Sequence, residues 1–116
     1  MKYMFLLYGN EAAFGSMTED QRNQAFGAYM AYNSALQAEG VMVSGDPLQP
    51  SFTASRVRAP DGKTEILNGP YADTQEQLGG TYVIDVPDLD AALAWAARCP
   101  MSAWGTVEVR PLMVLG

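Results

Sequence analysis

The chain has 116 residues, 48% of them hydrophobic and 17% charged, with a formal net charge of −6. That is one domain's worth of chain with enough apolar material for a core and too little charge for a disordered polymer. Only seven Lys and Arg are present and most stand apart in sequence, so the chain should be repelled by phosphate backbones and anionic lipid surfaces, and neither nucleic acid nor membrane is expected as a partner. Histidine is absent and cysteine occurs once, at Cys99. Ser-His-Asp and Cys-His devices, imidazole zinc sites and an intrachain disulfide are thereby excluded. Acid–base work near neutral pH would fall to a carboxylate, a lysine or a tyrosine. No cofactor is expected, and a cytoplasmic location fits the single thiol and the absence of a signal-like start.

Lys2–Tyr8 is a run of apolar and aromatic residues that reads as a strand buried on both faces or nearly so. "GNEAAFGSM" reads as a loop. Thr18 then caps a helix, with Gln21 placed to complete a capping box, and Glu19 and Asp20 suit the positive end of the helix dipole. Ala25, Phe26, Tyr29, Met30, Asn33 and Leu36 share one mostly apolar face of that helix, and Gly40 ends it. Val41–Ser44 is a short strand, and "GDPLQP" turns the chain away. "TASRVRAPDGKTEIL" predicts a hairpin with Asp61-Gly62 at its turn. A long polar segment, "LNGPYADTQEQLGG" (67–80), follows; a turn that only reverses the chain needs far fewer residues. Thr81–Val86 is a central strand. Asp88 caps a second helix that Pro100 closes, with Leu89, Ala92, Leu93 and Ala96 or Ala97 on its buried side. "GTVEVRPLMVL" is the last strand.

This order, β-α-β, a hairpin insert, then β-α-β, predicts a single α+β domain over 1–116: a ferredoxin-like split β-α-β sheet with both helices on one face. No third helix remains for the other face, and the simplest cover is a second copy packed sheet to sheet in a two-fold homodimer.

The blocks "MKYMFLLYG", "GVMVSGDPLQP", "VRAPDGK", "NGPYADTQEQLGGTYVIDVPDLDAALAWAARCP" and "VEVRPL" run in order along nearly the whole chain. Together they resemble the YCII-related proteins, in the subgroup named for a DGPF tetrapeptide. The resemblance implies a ferredoxin-like domain assembled as a homodimeric α/β barrel, with a pocket near the DGPF segment. It also implies either a role in small-molecule conversion or a link to sigma-type transcription regulation. The tetrapeptide reads Asn68-Gly69-Pro70-Tyr71 here, the following Ala-Glu is Ala72-Asp73, and a lysine common in the family is Gln75. The His-Asp pair of broader relatives has no counterpart in a chain without histidine.

Asn68 fits a turn better than proton transfer, because Asn tolerates the left-handed region and its side chain can bond nearby backbone. Asp73 and Glu76, three apart, would share one side of a helical turn and could split acid and base roles; the plainer alternative is a cap and a solvated carboxylate. Arg58 and Arg110 could each hold an anion bidentately or pair with a loop carboxylate. Asp46 could approach the same cleft or start a turn, and Tyr71, Tyr82, Trp104, Tyr29 and Tyr32 could line a pocket or an interface, with Trp104 placed near the interface or the pocket mouth. Two functions stand: a protein that binds or converts a small anionic molecule, with Asp73 or Glu76 as polar actor and Arg58 as anchor, or a non-catalytic regulatory or assembly domain whose 67–80 loop is a clasp.

Overall fold

A computed structural model describes residues 1–115. The elements are β1 (Lys2–Gly9), α1 (Glu11–Gly15), α2 (Glu19–Ala38), β2 (Met42–Pro47), β3 (Ser55–Arg58), β4 (Glu65–Asn68), β5 (Gln77–Asp85), α3 (Leu89–Arg98), α4 (Met101–Trp104) and β6 (Thr106–Pro111). Four strands form one antiparallel sheet in the order β2-β5-β1-β6. Each β-α-β unit therefore has a strand of the other unit threaded between its own two, which is the split arrangement expected from the order of elements. The sheet is open, with β2 and β6 at its edges; no barrel is closed by the described residues.

Local chemistry sets the helix boundaries. Thr18 Oγ1 accepts from Gln21 N–H at 3.2 Å, and the Gln21 side chain accepts from Thr18 N–H at 2.9 Å, completing the capping box. Gly40, at φ +69°, follows α2 in the left-handed conformation that ends a helix at little cost. Asp88 accepts from Ala91 N–H at 2.9 Å and starts α3.

The core lies between the sheet and the helices. Tyr3, Phe5 and Leu7 of β1 and Tyr82 and Ile84 of β5 face Tyr32 and Leu36 of α2 and Ala92 and Ala96 of α3. Strand alternation sends Met4, Leu6 and Val83 to the opposite face, outside this core, where they stay half-exposed. The uncovered second face anticipated from the count of helices is thus present.

Three expectations change. Leu89 and Leu93 are 47% and 46% exposed, so α3 buries only its alanines; the small residues let the helix lie close to the sheet and leave the leucines at its flank. "GNEAAFGSM" holds a short helix, α1, capped by Asn10 through a bond from Ala13 N–H. No helical turn forms over 74–78, because Gln77 and Leu78 already pair with Gly9 and Tyr8 as the start of β5.

The β3–β4 hairpin forms its own two-stranded sheet, with Val57 opposite Ile66. Its turn places Asp61 at φ +52° and Gly62 at φ +79°, as the Asp-Gly pair predicts. Val57 and Ile66 are both exposed, and the chain is flat, 47 × 47 × 18 Å in extent.

Candidate functional site

The first half of α2 has no fully buried side chain. Arg22, Ala25, Phe26, Tyr29, Met30 and Asn33 lie along one stripe of that helix, and beneath them β2 and β5 present Gly45, Pro47, Gly79 and Gly80. Gly79 and Gly80 add no side chains to the space between, which is a cleft of about 690 Å³, while the Tyr82 ring covers Gly45. Phe14, Met17, Met101 and Trp104 also line it. Trp104 meets Phe14 edge-on and Tyr29 at a tilt, both at 6.2 Å between ring centroids. The volume and the aromatic lining are those of a small-molecule site.

The glycines are constrained as well as permissive. A Cβ on Gly45 would lie 2.7 Å from the Tyr82 ring, and one on Gly80 would lie 3.2 Å from the Asp46 carbonyl. Phe26 (68% exposed) and Met30 belong to the mostly apolar stripe of the helix and are left open to the cleft. Only Tyr32 and Leu36, lower on α2, are buried against the sheet.

Few polar groups face this cleft. The Tyr82 hydroxyl donates to Asn33 Oδ1. The Tyr29 hydroxyl donates to nothing among the described residues. Burial pushes the Tyr82 phenol up to about 12, helped by the neighbouring Cys99, and holds the Tyr29 phenol well above its ordinary value for the same reasons. Both are therefore neutral hydroxyls at physiological pH. The Glu11 carboxylate is engaged: it accepts from Ser51 N–H at 2.6 Å and Ser51 Oγ at 2.7 Å, which straps the start of α1 to the segment after β2. Arg22, the cation on the lining, donates through Nη2 to the Gly15 carbonyl at 3.2 Å. Cys99 is buried outside the lining, and burial pushes its thiol up. Among the described residues no three His, Cys, Asp or Glu side chains gather as a metal site, and no helix is long and apolar enough to cross a membrane.

Of the polar and charged candidates taken from the sequence, Asp46 alone contributes to the cleft lining. Its partner across the strands is Thr81, one residue out of phase with the inward pair Gly45 and Tyr82, so alternation turns its side chain to the other face. Asp73 is exposed and makes no hydrogen bond among the described residues. Glu76 accepts from Thr106 Oγ1 at 2.8 Å, joining the 69–76 segment to the start of β6. Asn68 and Gly69 offer their carbonyls to Arg56, the latter at 3.1 Å from Nε. Arg58 is exposed on the hairpin, and Tyr71 is 92% exposed. Arg110 Nε pairs with Glu108 at 2.8 Å on the second face of the sheet, where Glu108 also accepts from the Tyr8 hydroxyl at 3.2 Å. The Arg110 hydrogen bond holds the Glu108 carboxyl below its usual range. The structure thus keeps Asp73 and Glu76 on the loop, Arg58 on the hairpin and Arg110 on the far face, without assembling them in one pocket. Tyr29, Tyr82 and Trp104, anticipated as pocket or interface aromatics, do line the cleft; Asn33 was missed, although glycines inside the facing strands mark places where something approaches the backbone closely.

The fold and cleft define an α+β domain with a split antiparallel sheet and a small-molecule-sized cavity under one helix. Residues 1–115 match the YCII-related domain, and the chain belongs to that family. It is 31% identical over 114 residues to an uncharacterized protein of Rhizobium meliloti (strain 1021), covering 97% of this chain and 92% of that one. Its fold is similar to that of the 5-chloro-2-hydroxyhydroquinone dehydrochlorinase of Burkholderia phenoliruptrix AC1100, solved with 2,5-dihydroxybenzoquinone. The TM-score is 0.56, at 13% identity, over 97% of this chain and 94% of the other.

Proposed function

We propose that the protein binds a small, largely apolar ring compound in the cleft between α2 and the sheet. The carrying observation is the pairing of a glycine floor (Gly79, Gly80) with an aromatic wall (Phe14, Tyr29, Trp104) around about 690 Å³. A flat ring can lie on bare strand backbone in a way that a branched chain cannot, and aromatic walls favour it. The fold neighbour that was solved with a dihydroxybenzoquinone supports a ligand of that size and shape. If the ligand is anionic, Arg22 is the cation in place to meet it. Conversion of the ligand would rest on neutral tyrosine hydroxyls and Arg22, since the Glu11 carboxylate is occupied by Ser51.

The half-exposed Met4, Leu6 and Val83 favour a second copy packed on the open sheet face, giving the homodimeric α/β barrel of the DGPF-type subgroup; sedimentation would find two chains. In the rival proposal, a non-catalytic domain, the 67–80 segment is a clasp. The bonds of Arg56 to the Asn68 and Gly69 carbonyls and of Thr106 to Glu76 favour a structural role for that segment.

Trp104 supplies the test. Trp95→Phe leaves it as the sole indole of a chain with two tryptophans. Titration of that variant with acetophenone and with benzoate should change Trp104 emission saturably, and an Arg22→Ala change should weaken benzoate selectively. Emission that stays flat to millimolar concentrations of both would remove the small-molecule proposal.

A further inference from the structure

The proposed ring ligand leaves open what the site recognises on it. Asn33 and Tyr29 lie four residues apart on α2, so their side chains stand one above the other on the cleft face. The Tyr82 hydroxyl, rising from β5, donates to Asn33 Oδ1. That bond commits the amide oxygen as an acceptor and fixes the amide plane. The Asn33 Nδ2 group, with two N–H donors, then makes no hydrogen bond among the described residues, and neither does the Tyr29 hydroxyl. Both are half-buried beside apolar side chains.

We infer that Asn33 Nδ2 and the Tyr29 hydroxyl form a pair of hydrogen-bond donors for a carbonyl or phenolic oxygen on the ring ligand, with Tyr82 as the positioning residue that orients Asn33. This rests on the cleft being the binding site and adds the chemical class: an oxygen-substituted ring, selected over the bare hydrocarbon. A half-buried donor pair rewards a ligand that supplies an acceptor and penalises one that leaves it unpaired. Tyr82 has no need to touch the ligand. Its ring is held edge-on against Tyr32 at 5.5 Å, so its hydroxyl is a fixed point against which the amide sets.

The inference is separable from the cleft proposal by a matched pair of probes. Acetophenone and ethylbenzene have nearly the same shape and differ in the carbonyl oxygen. The affinity ratio between them, read from Trp104 emission in the Trp95→Phe background, cancels the general apolar attraction. Asn33→Leu and Asn33→Asp, the latter of almost the same shape but without the N–H donors, should each shift that ratio about fivefold toward ethylbenzene. Tyr29→Phe and Tyr82→Phe should shift it in the same direction by smaller factors, with ethylbenzene still bound. Both probes binding to every variant with an unchanged ratio would overturn the donor pair while leaving the cleft intact. Neither probe binding to the parent protein would overturn the cleft proposal and this inference with it.

Discussion

Replacing Tyr82 by Phe removes one oxygen and leaves the ring against Tyr32. At pH 7 the loss is a hydrogen bond to Asn33, worth about 1 kcal/mol net, or roughly 4 °C in Tm for a domain of this size. The pH dependence is the sharper test. Burial raises the Tyr82 phenol from 10.0 to about 12 in the folded chain. A group whose acid form is favoured by folding contributes stability that is complete below the unfolded value and is lost as pH rises through the folded one. Between pH 10 and pH 12 the unfolded chain ionises this phenol while the folded chain does not. At pH 11 that costs the parent about 1 kcal/mol, with some of it screened where the ring edge meets water. The Tyr82→Phe variant is exempt, because it has no phenol at that position to ionise. Urea unfolding followed by far-UV circular dichroism should therefore find the variant about 1 kcal/mol less stable than the parent at pH 7 and within a few tenths of it at pH 11. An equal deficit at both pH values would refute the idea that folding holds this hydroxyl neutral.

Leu36 is fully buried between α2 and the sheet, and Leu36→Ala should cost about 2–5 kcal/mol in urea unfolding. Gly105 packs so closely on the Tyr8 carbonyl that a Cβ would collide with strand backbone; Gly105→Ala should lose about 2–3 kcal/mol, with near-normal far-UV ellipticity if β6 shifts without unfolding. Glu76→Ala removes the Thr106 bond and should lower Tm by one to four degrees, or about 0.5–1 kcal/mol. Asp73→Ala should stay within about 0.5 kcal/mol of the parent, as an exposed carboxylate with no partner among the described residues would; the reverse order of these two would contradict the contact pattern.

Local signals in the sequence were the ones that could be read reliably. The Thr18 capping box, the Gly40 stop, the Asp88 cap and the Asp61-Gly62 turn each depend on residues within four positions of one another, and each formed as the pattern implied. The element order was enough for the split sheet because few topologies join two β-α-β units without crossing. The cleft was less legible. The stripe from Ala25 to Asn33 was visible as an apolar helix face, but whether it packs or stands clear depends on what faces it. That is set by the register of β2 on β5, which brings Gly45 and Gly80 beneath it from 35 residues apart. No local pattern carries such a pairing. The same holds for Leu89 and Leu93, whose helical spacing suits a core that the alanines of α3 occupy instead. The 67–80 segment is polar and long, yet its two ends belong to β4 and β5, and its Asn68 and Gly69 carbonyls are tied to Arg56. Its carboxylates, Asp73 and Glu76, stand outside the cleft lining.

The central claim is that a ring ligand lies on the glycine floor beneath α2. A crystal structure of the protein grown with acetophenone tests it most directly. The expected result is a ring stacked over Gly79 and Gly80, within van der Waals reach of Trp104, with its carbonyl oxygen at hydrogen-bond distance from Asn33 Nδ2. A fully occupied probe seated instead on the hairpin or on the open sheet face, with the cleft holding only water, would contradict it.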